Sequence, residues 1–183
     1  AAKIDDTYLT GKISLAGEHP FVEHFRFVQS FEDENTTAKL TIPAPAQFIE
    51  QFIMPMNRKA TDAAYGNDAL LEDDIVAAYL AFIEQVHAAG CRNLQFDDCS
   101  WGCLVDPKAE LFFGTDQAGL ARIKETLLRV NNRVLDAAPA DLCINTHVCR
   151  GNFHSTWACE GGYDDVADAL LANEHVNAFF LEF

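Results

Sequence analysis

The chain has 183 residues with 28 acidic and 13 basic side chains, a formal net charge of −15, and 49% hydrophobic residues. That composition supports a globular core and excludes a disordered chain. The acidic balance argues against nucleic acid, whose phosphates need clustered Lys and Arg, and against an anionic membrane surface. No apolar run is long enough for a membrane-spanning helix, and Ala1–Lys12 lacks a basic stretch followed by an apolar one. The six cysteines form no C-x-x-C pair and are too sparse for a disulfide scaffold, so a cytoplasmic protein with reduced thiols is expected.

In chain order, Ala38–Ile42 reads as a short strand stopped by Pro43 and Pro45. Leu70–Ala89 has helical spacing through Leu71, Ile75, Ala78, Tyr79, Phe82 and Val86, with Gly90 placed to cap it. Arg92–Phe96 reads as a buried strand ending in Asp97 and Asp98. Asp116 can cap a helix carrying Leu120, Ile123, Leu127, Val130, Val134 and Leu135. Leu142–Val148 is a further strand, the polar stretch 149–156 follows, Tyr163–Ala172 is a short helix, and Ala178–Phe183 a last strand.

Strands alternating with helices predict a parallel sheet covered by helices. The expected fold class is α/β: a partial (β/α)8 TIM barrel with about five of its eight strands represented. A doubly wound sheet is the alternative, but no glycine-rich phosphate loop follows the first strand. The chain is expected to be part of one catalytic barrel domain, incomplete at both ends and inactive by itself. Its open edge would be completed by further chain or by another copy, a homo-oligomer.

In such a fold the chemistry gathers at the carboxyl ends of the strands. His147 and Cys149 are two apart and share one face of a strand, and imidazole with thiolate is a good zinc pair. Glu182 sits among Phe179, Phe180, Leu181 and Phe183, where a bare carboxylate is costly unless a metal or a basic side chain satisfies it. Of Asp97 and Asp98, one is expected to face the mouth, suited to an ammonium group or acid/base work, and the other to cap a helix. Arg150 can hold a substrate carboxylate or pair with Asp98 or Glu160. Trp101 and Trp157 read as core or rim packing.

The segments LQFDDCSWG, THVCRGNFHSTWACEGGY and AFFLEF resemble the cobalamin-independent methionine synthase family, as do TGKI at Thr10–Ile13, HPF at His19–Phe21 and LTIPAPA at Leu40–Ala46. The likeness is to its short, single-barrel members. The resemblance implies a barrel that transfers a methyl group to the sulfur of homocysteine on a zinc ion. It implies zinc ligands at His147, Cys149 and Glu182, with a fourth, a cysteine, beyond Phe183. It also implies that Asp97 holds the substrate amino group; Asp98 and Arg150 are further candidate substrate contacts from the reading of the residues alone. The family's methyl donor is a methyl-tetrahydrofolate, but the tryptophan expected after the T-x-P motif is absent from TIPAPAQF, and Lys12 follows Gly11 where an acid is expected. Another thiol or methyl donor, or a barrel without catalysis, therefore stays open.

Overall fold

The computed structural model of the chain describes residues 7–152 and 154–183. Residues 1–6, which open the stretch inspected for a leader, lie outside the described residues, as does residue 153 in the polar stretch 149–156.

The first helix, α1 (Pro20–Gln29), begins at a proline whose fixed φ suits a first turn. His19 caps it by accepting the Phe21 N–H at Nδ1. Strand β1 (Leu40–Pro43) passes at once into α2 (Pro45–Ile53), where Pro45 is again a helix starter. After α3 (Arg58–Ala64) comes the long α4 (Asp68–Ala88), capped by Asn67 accepting from Leu70 N–H. Gly90, at φ +105°, turns the chain into β2 (Asn93–Asp97). Asp98 caps α5 (Cys99–Leu104), and α6 (Ala109–Phe113) ends at the left-handed Gly114. Asp116 caps α7 (Gln117–Ala137) by accepting from Gly119 N–H, as its sequence position predicts. Strand β3 (Cys143–Val148), α8 (Asp164–Asn173) and β4 (Phe179–Leu181) complete the order.

The four strands form one parallel sheet in the order β1-β2-β3-β4. These are the four strands located in the sequence; the total of about five expected there is not reached among the described residues, where nothing before β1 pairs as a strand. That stretch forms α1 and a loop closed by the isolated Asp33–Thr36 bridge. Spatial order equals chain order with no reversal, which fits consecutive strands of a (β/α) barrel better than a doubly wound sheet.

Pleating separates two faces. Ile42, Leu94, Phe96, Ile144 and Val148 are buried in the core with Leu71, Ile75, Ile83 and Val86 of α4 and Leu127, Val130 and Val134 of α7. The opposite face carries Thr41, Asn93, Gln95, Asp97, Cys143, Asn145 and His147, and most of it is at least partly exposed. Lys39 and Gln95 hydrogen-bond across it at 2.8 Å, as do Asn145 and Asn93 at 3.3 Å. A parallel sheet ordinarily has both faces covered; here the wet, polar face is the one that presents Asp97 and His147.

Candidate metal centre

Register sets the site. Pro43, Asp97, His147 and Phe180 are successive Cα partners across the sheet, one row at the carboxyl ends of its strands. The His147 ring is oriented by Nδ1, which lies 2.9 Å from the Phe180 carbonyl oxygen. A carbonyl only accepts, so Nδ1 carries a proton and the neutral ring has its lone pair on Nε2. Nε2 faces Asp97 Oδ1 at 3.8 Å. Cys149, just past the end of β3, accepts the Gly151 N–H at its sulfur, 3.2 Å away. One ligand atom each from Asp97, His147 and Cys149 lie within 4.8 Å of one another, and this is the set of such donors among the described residues.

Asp97 Oδ1 is buried and has no hydrogen-bond partner. Its carboxyl is pushed above the usual range first by burial; His147 opposes the shift and Glu182 adds to it. An orphaned carboxylate oxygen, a correctly presented imidazole nitrogen and a thiol facing one space are the donor chemistry of a zinc site. The residues present fit such a metal.

Glu182 lies at the same end of the sheet, its N–H bonded to the Val148 carbonyl at 3.3 Å, but its carboxylate is outside the three-residue set. Oε2 accepts the Arg150 N–H at 2.7 Å, and the Glu182 carbonyl accepts from the Tyr163 hydroxyl and Arg150 Nε. Where sequence pattern suggested His147, Cys149 and Glu182, the geometry groups His147 and Cys149 with Asp97.

Asp98 is the one of the two acids that caps a helix. Successive strand residues face opposite ways, and Asp98 turns inward, fully buried, away from the face that presents Asp97. Its Oδ1 accepts the Ser100 N–H, and its Oδ2 accepts from Asn131 Nδ2 at 2.9 Å. Arg150 pairs with neither Asp98 nor Glu160. Its guanidinium stacks over Tyr163, 4.5 Å from the ring centre, and Nη2 donates to the Gly161 carbonyl at 2.8 Å. At 9% exposure it anchors the loop after β3, with Nη1 buried and unpartnered. Trp101 is fully buried and Trp157 exposed, core and rim as expected.

Two features escaped sequence reading. Cys99 lies against Cys149, and burial together with Cys149 pushes the Cys99 thiol up. Behind the sheet runs a buried polar chain: Glu174 and Asp98 both accept from Asn131, whose Oδ1 accepts the Ala46 N–H, and Ser100 donates to Glu50 at 2.7 Å. Asn131 lies on the apolar stripe of α7, one turn from Leu127, Val134 and Leu135, so the helical period carried a hint of its burial that the polar residue type obscured.

No family model matches the chain. Two uncharacterized Bacillus subtilis (strain 168) proteins, YxjH and YxjG, are 35% and 33% identical to it, each over 96% of this chain and 44% of its own length. A crystal structure of the "putative vitamin-B12 independent methionine synthase" from Listeria monocytogenes superposes with a TM-score of 0.73 at 30% identity. That match covers 96% of this chain and 48% of the other. The chain thus spans about half the length of the relatives it matches. Among the described residues, no helix is long and apolar enough to cross a membrane.

Proposed function

We propose that the chain is part of a TIM-barrel S-methyltransferase of the cobalamin-independent methionine synthase type, acting on the thiol of homocysteine with zinc as cofactor. The observation that carries the reading is the convergence of Asp97, His147 and Cys149, with the unpartnered Asp97 Oδ1, at the carboxyl end of a parallel sheet. The likeness to the Listeria protein and the half-length match support a larger barrel whose remaining part covers the polar sheet face.

His147 and Cys149 would hold the zinc, with Asp97 as the nearby carboxylate and Glu182 as the alternative once released from the Arg150 N–H. When bound, the metal would hold the substrate sulfur as a thiolate and fix its direction. The chain's own contribution is positional. Phe180 locks the His147 tautomer, and Gly151 steadies the Cys149 sulfur. The Arg150–Tyr163–Gly161 contacts hold the loop beside the site. A carboxylate not engaged by metal is available to the substrate ammonium, the role the family resemblance gives Asp97.

Zinc content by elemental analysis and methyl transfer to homocysteine, with methyl-tetrahydrofolate and other donors, test this on the purified protein. His147→Ala and Cys149→Ser should abolish stoichiometric zinc. Asp97→Asn should weaken zinc at least about tenfold if it is a ligand, and otherwise raise the homocysteine KM with zinc intact. Zinc binding untouched by both His147→Ala and Cys149→Ser would overturn the proposal. Transfer to a different thiol would move it to a related alkyltransferase, and stoichiometric zinc without transfer to any thiol would leave a metal-binding barrel.

A further inference from the structure

Away from the donor set, Cys103 of α5 and Cys159 of the loop after β3 face one another with their sulfurs 3.2 Å apart. Both are free thiols and both are half-buried. Their elements are already fixed in place. The Ala158 and Cys159 N–H groups donate to the Arg150 carbonyl, and the Glu160 N–H donates to Asp106. The φ of Gly161 is +135°, and a Cβ there would fall 2.2 Å from the Val105 carbonyl oxygen, so the loop lies directly on the end of α5. The gap between the sulfurs must close by only about 1 Å to reach a disulfide bond length of about 2.05 Å, within reach of side-chain rotation. Cys159 also lines a pocket of about 550 Å³ with Arg150, Asn152, Trp157 and Glu182, so a small solute reaches it from solvent.

We propose that Cys103 and Cys159 are an oxidisable dithiol that hydrogen peroxide converts to a disulfide, covalently joining α5 to the loop that carries Cys149 and Arg150. In the first step the Cys159 sulfur attacks the terminal peroxide oxygen. The O–O bond breaks, an S–O bond forms, and the leaving hydroxide takes up the thiol proton as water. The Cys103 sulfur then attacks the Cys159 sulfenic sulfur, forming the S–S bond and expelling hydroxide, which leaves as water with the Cys103 proton. Two thiols lose two electrons and one peroxide is reduced to two waters. The order of attack follows from the environment: the contact with Cys103 draws the Cys159 thiol below its ordinary range, while that same contact, with burial, drives Cys103 up.

The test is mass spectrometry of the reduced protein before and after hydrogen peroxide, with free thiols alkylated and trypsin digestion under non-reducing conditions. A mass loss of about 2 Da is expected, with alkylation lost at Cys103 and Cys159 and dithiothreitol restoring both. The tryptic peptide 93–108 should be linked to the peptide that begins at Gly151, and fragmentation between Cys99 and Cys103 should assign the sulfur. Cys103→Ser should stop the reaction at a Cys159 sulfenic acid trapped by dimedone. A link through Cys99, a Cys99–Cys149 disulfide, or over-oxidation of Cys159 with Cys103 still alkylated would each overturn the proposal. The wild-type measurement alone decides, whether or not the serine variant folds.

Discussion

Replacing Glu174 by glutamine should make the protein more stable in base and nearly unchanged in acid. Glu174 is 6% exposed; Oε1 accepts from Asn131 and Oε2 has no partner. Burial, then the neighbouring Asp98, push its carboxyl from an ordinary value of 4.5 to about 8, against the Asn131 hydrogen bond. Between those values the folded protein holds a proton that the unfolded chain has released. Stability from this group is therefore complete below about pH 4.5 and is lost as pH rises toward about 8. At about 1.4 kcal/mol per pH unit, the destabilisation grows from roughly 1 kcal/mol at about pH 5.5 to roughly 4 at about pH 8.5. Asp98 and Glu50, raised to about 6 and about 7, act in the same direction, and part of the Glu174 shift is the charge of Asp98, so the isolated effect of Glu174 is on the order of 3 kcal/mol. Urea denaturation of wild type and Glu174→Gln at the two pH values measures it. Wild type should lose stability with pH and the variant should lose much less. Parallel pH profiles, or a variant that is less stable at about pH 8.5, would refute the argument that burial without a cation holds this group protonated.

Asn131→Ala should cost about 3 kcal/mol or more at neutral pH by urea denaturation, because it orphans the Ala46 N–H and leaves Asp98 and Glu174 without their shared donor. Gly102→Ala should lower the melting temperature, by about 1–3 kcal/mol of stability, because its Cβ would meet the Cys149 carbonyl oxygen at 2.4 Å. The same shift should weaken metal binding at Cys149, which zinc titration of that variant reads directly.

The long helices were legible because their apolar spacing and their caps agree. The predicted Leu70–Ala89 is Asp68–Ala88, and Asp116 starts α7. The four strands also appear where apolar runs lie between breakers. Short helices were not legible. Pro43 and Pro45 read as stops, yet Pro45 opens α2, since the same fixed φ that ends a strand begins a helix. CSWGCL is too short and too rich in small residues to show a helical period, yet Asp98 caps it as α5. The inward turn of Asp98 and the mouth-facing turn of Asp97 were foreseen as alternatives; register decided between them. The company of Asp97, His147 and Cys149 was half legible, because H-x-C shows its own pairing while the approach of Asp97 depends on which residue of β2 stands opposite His147. Asn131 is in step with the apolar stripe of α7, but Glu50 and Glu174 lie far from it in the chain, so the burial of the three together emerges only from tertiary packing.

The polar and apolar faces of the sheet are interleaved residue by residue, which constrains how this site can change over generations. Asp97 is one position from Phe96, and His147 is one position from Val148, so each donor alternates with a core side chain. A single-residue insertion between Ile144 and His147 would drive the imidazole into the core and turn a core-facing side chain toward the mouth. Lineages that vary in length here should place their insertions in the connections, such as 105–108 and 150–162, where no pleat is crossed. New chemistry at the strand ends should come by exchanging side chains in place, never by lengthening the strands that carry them.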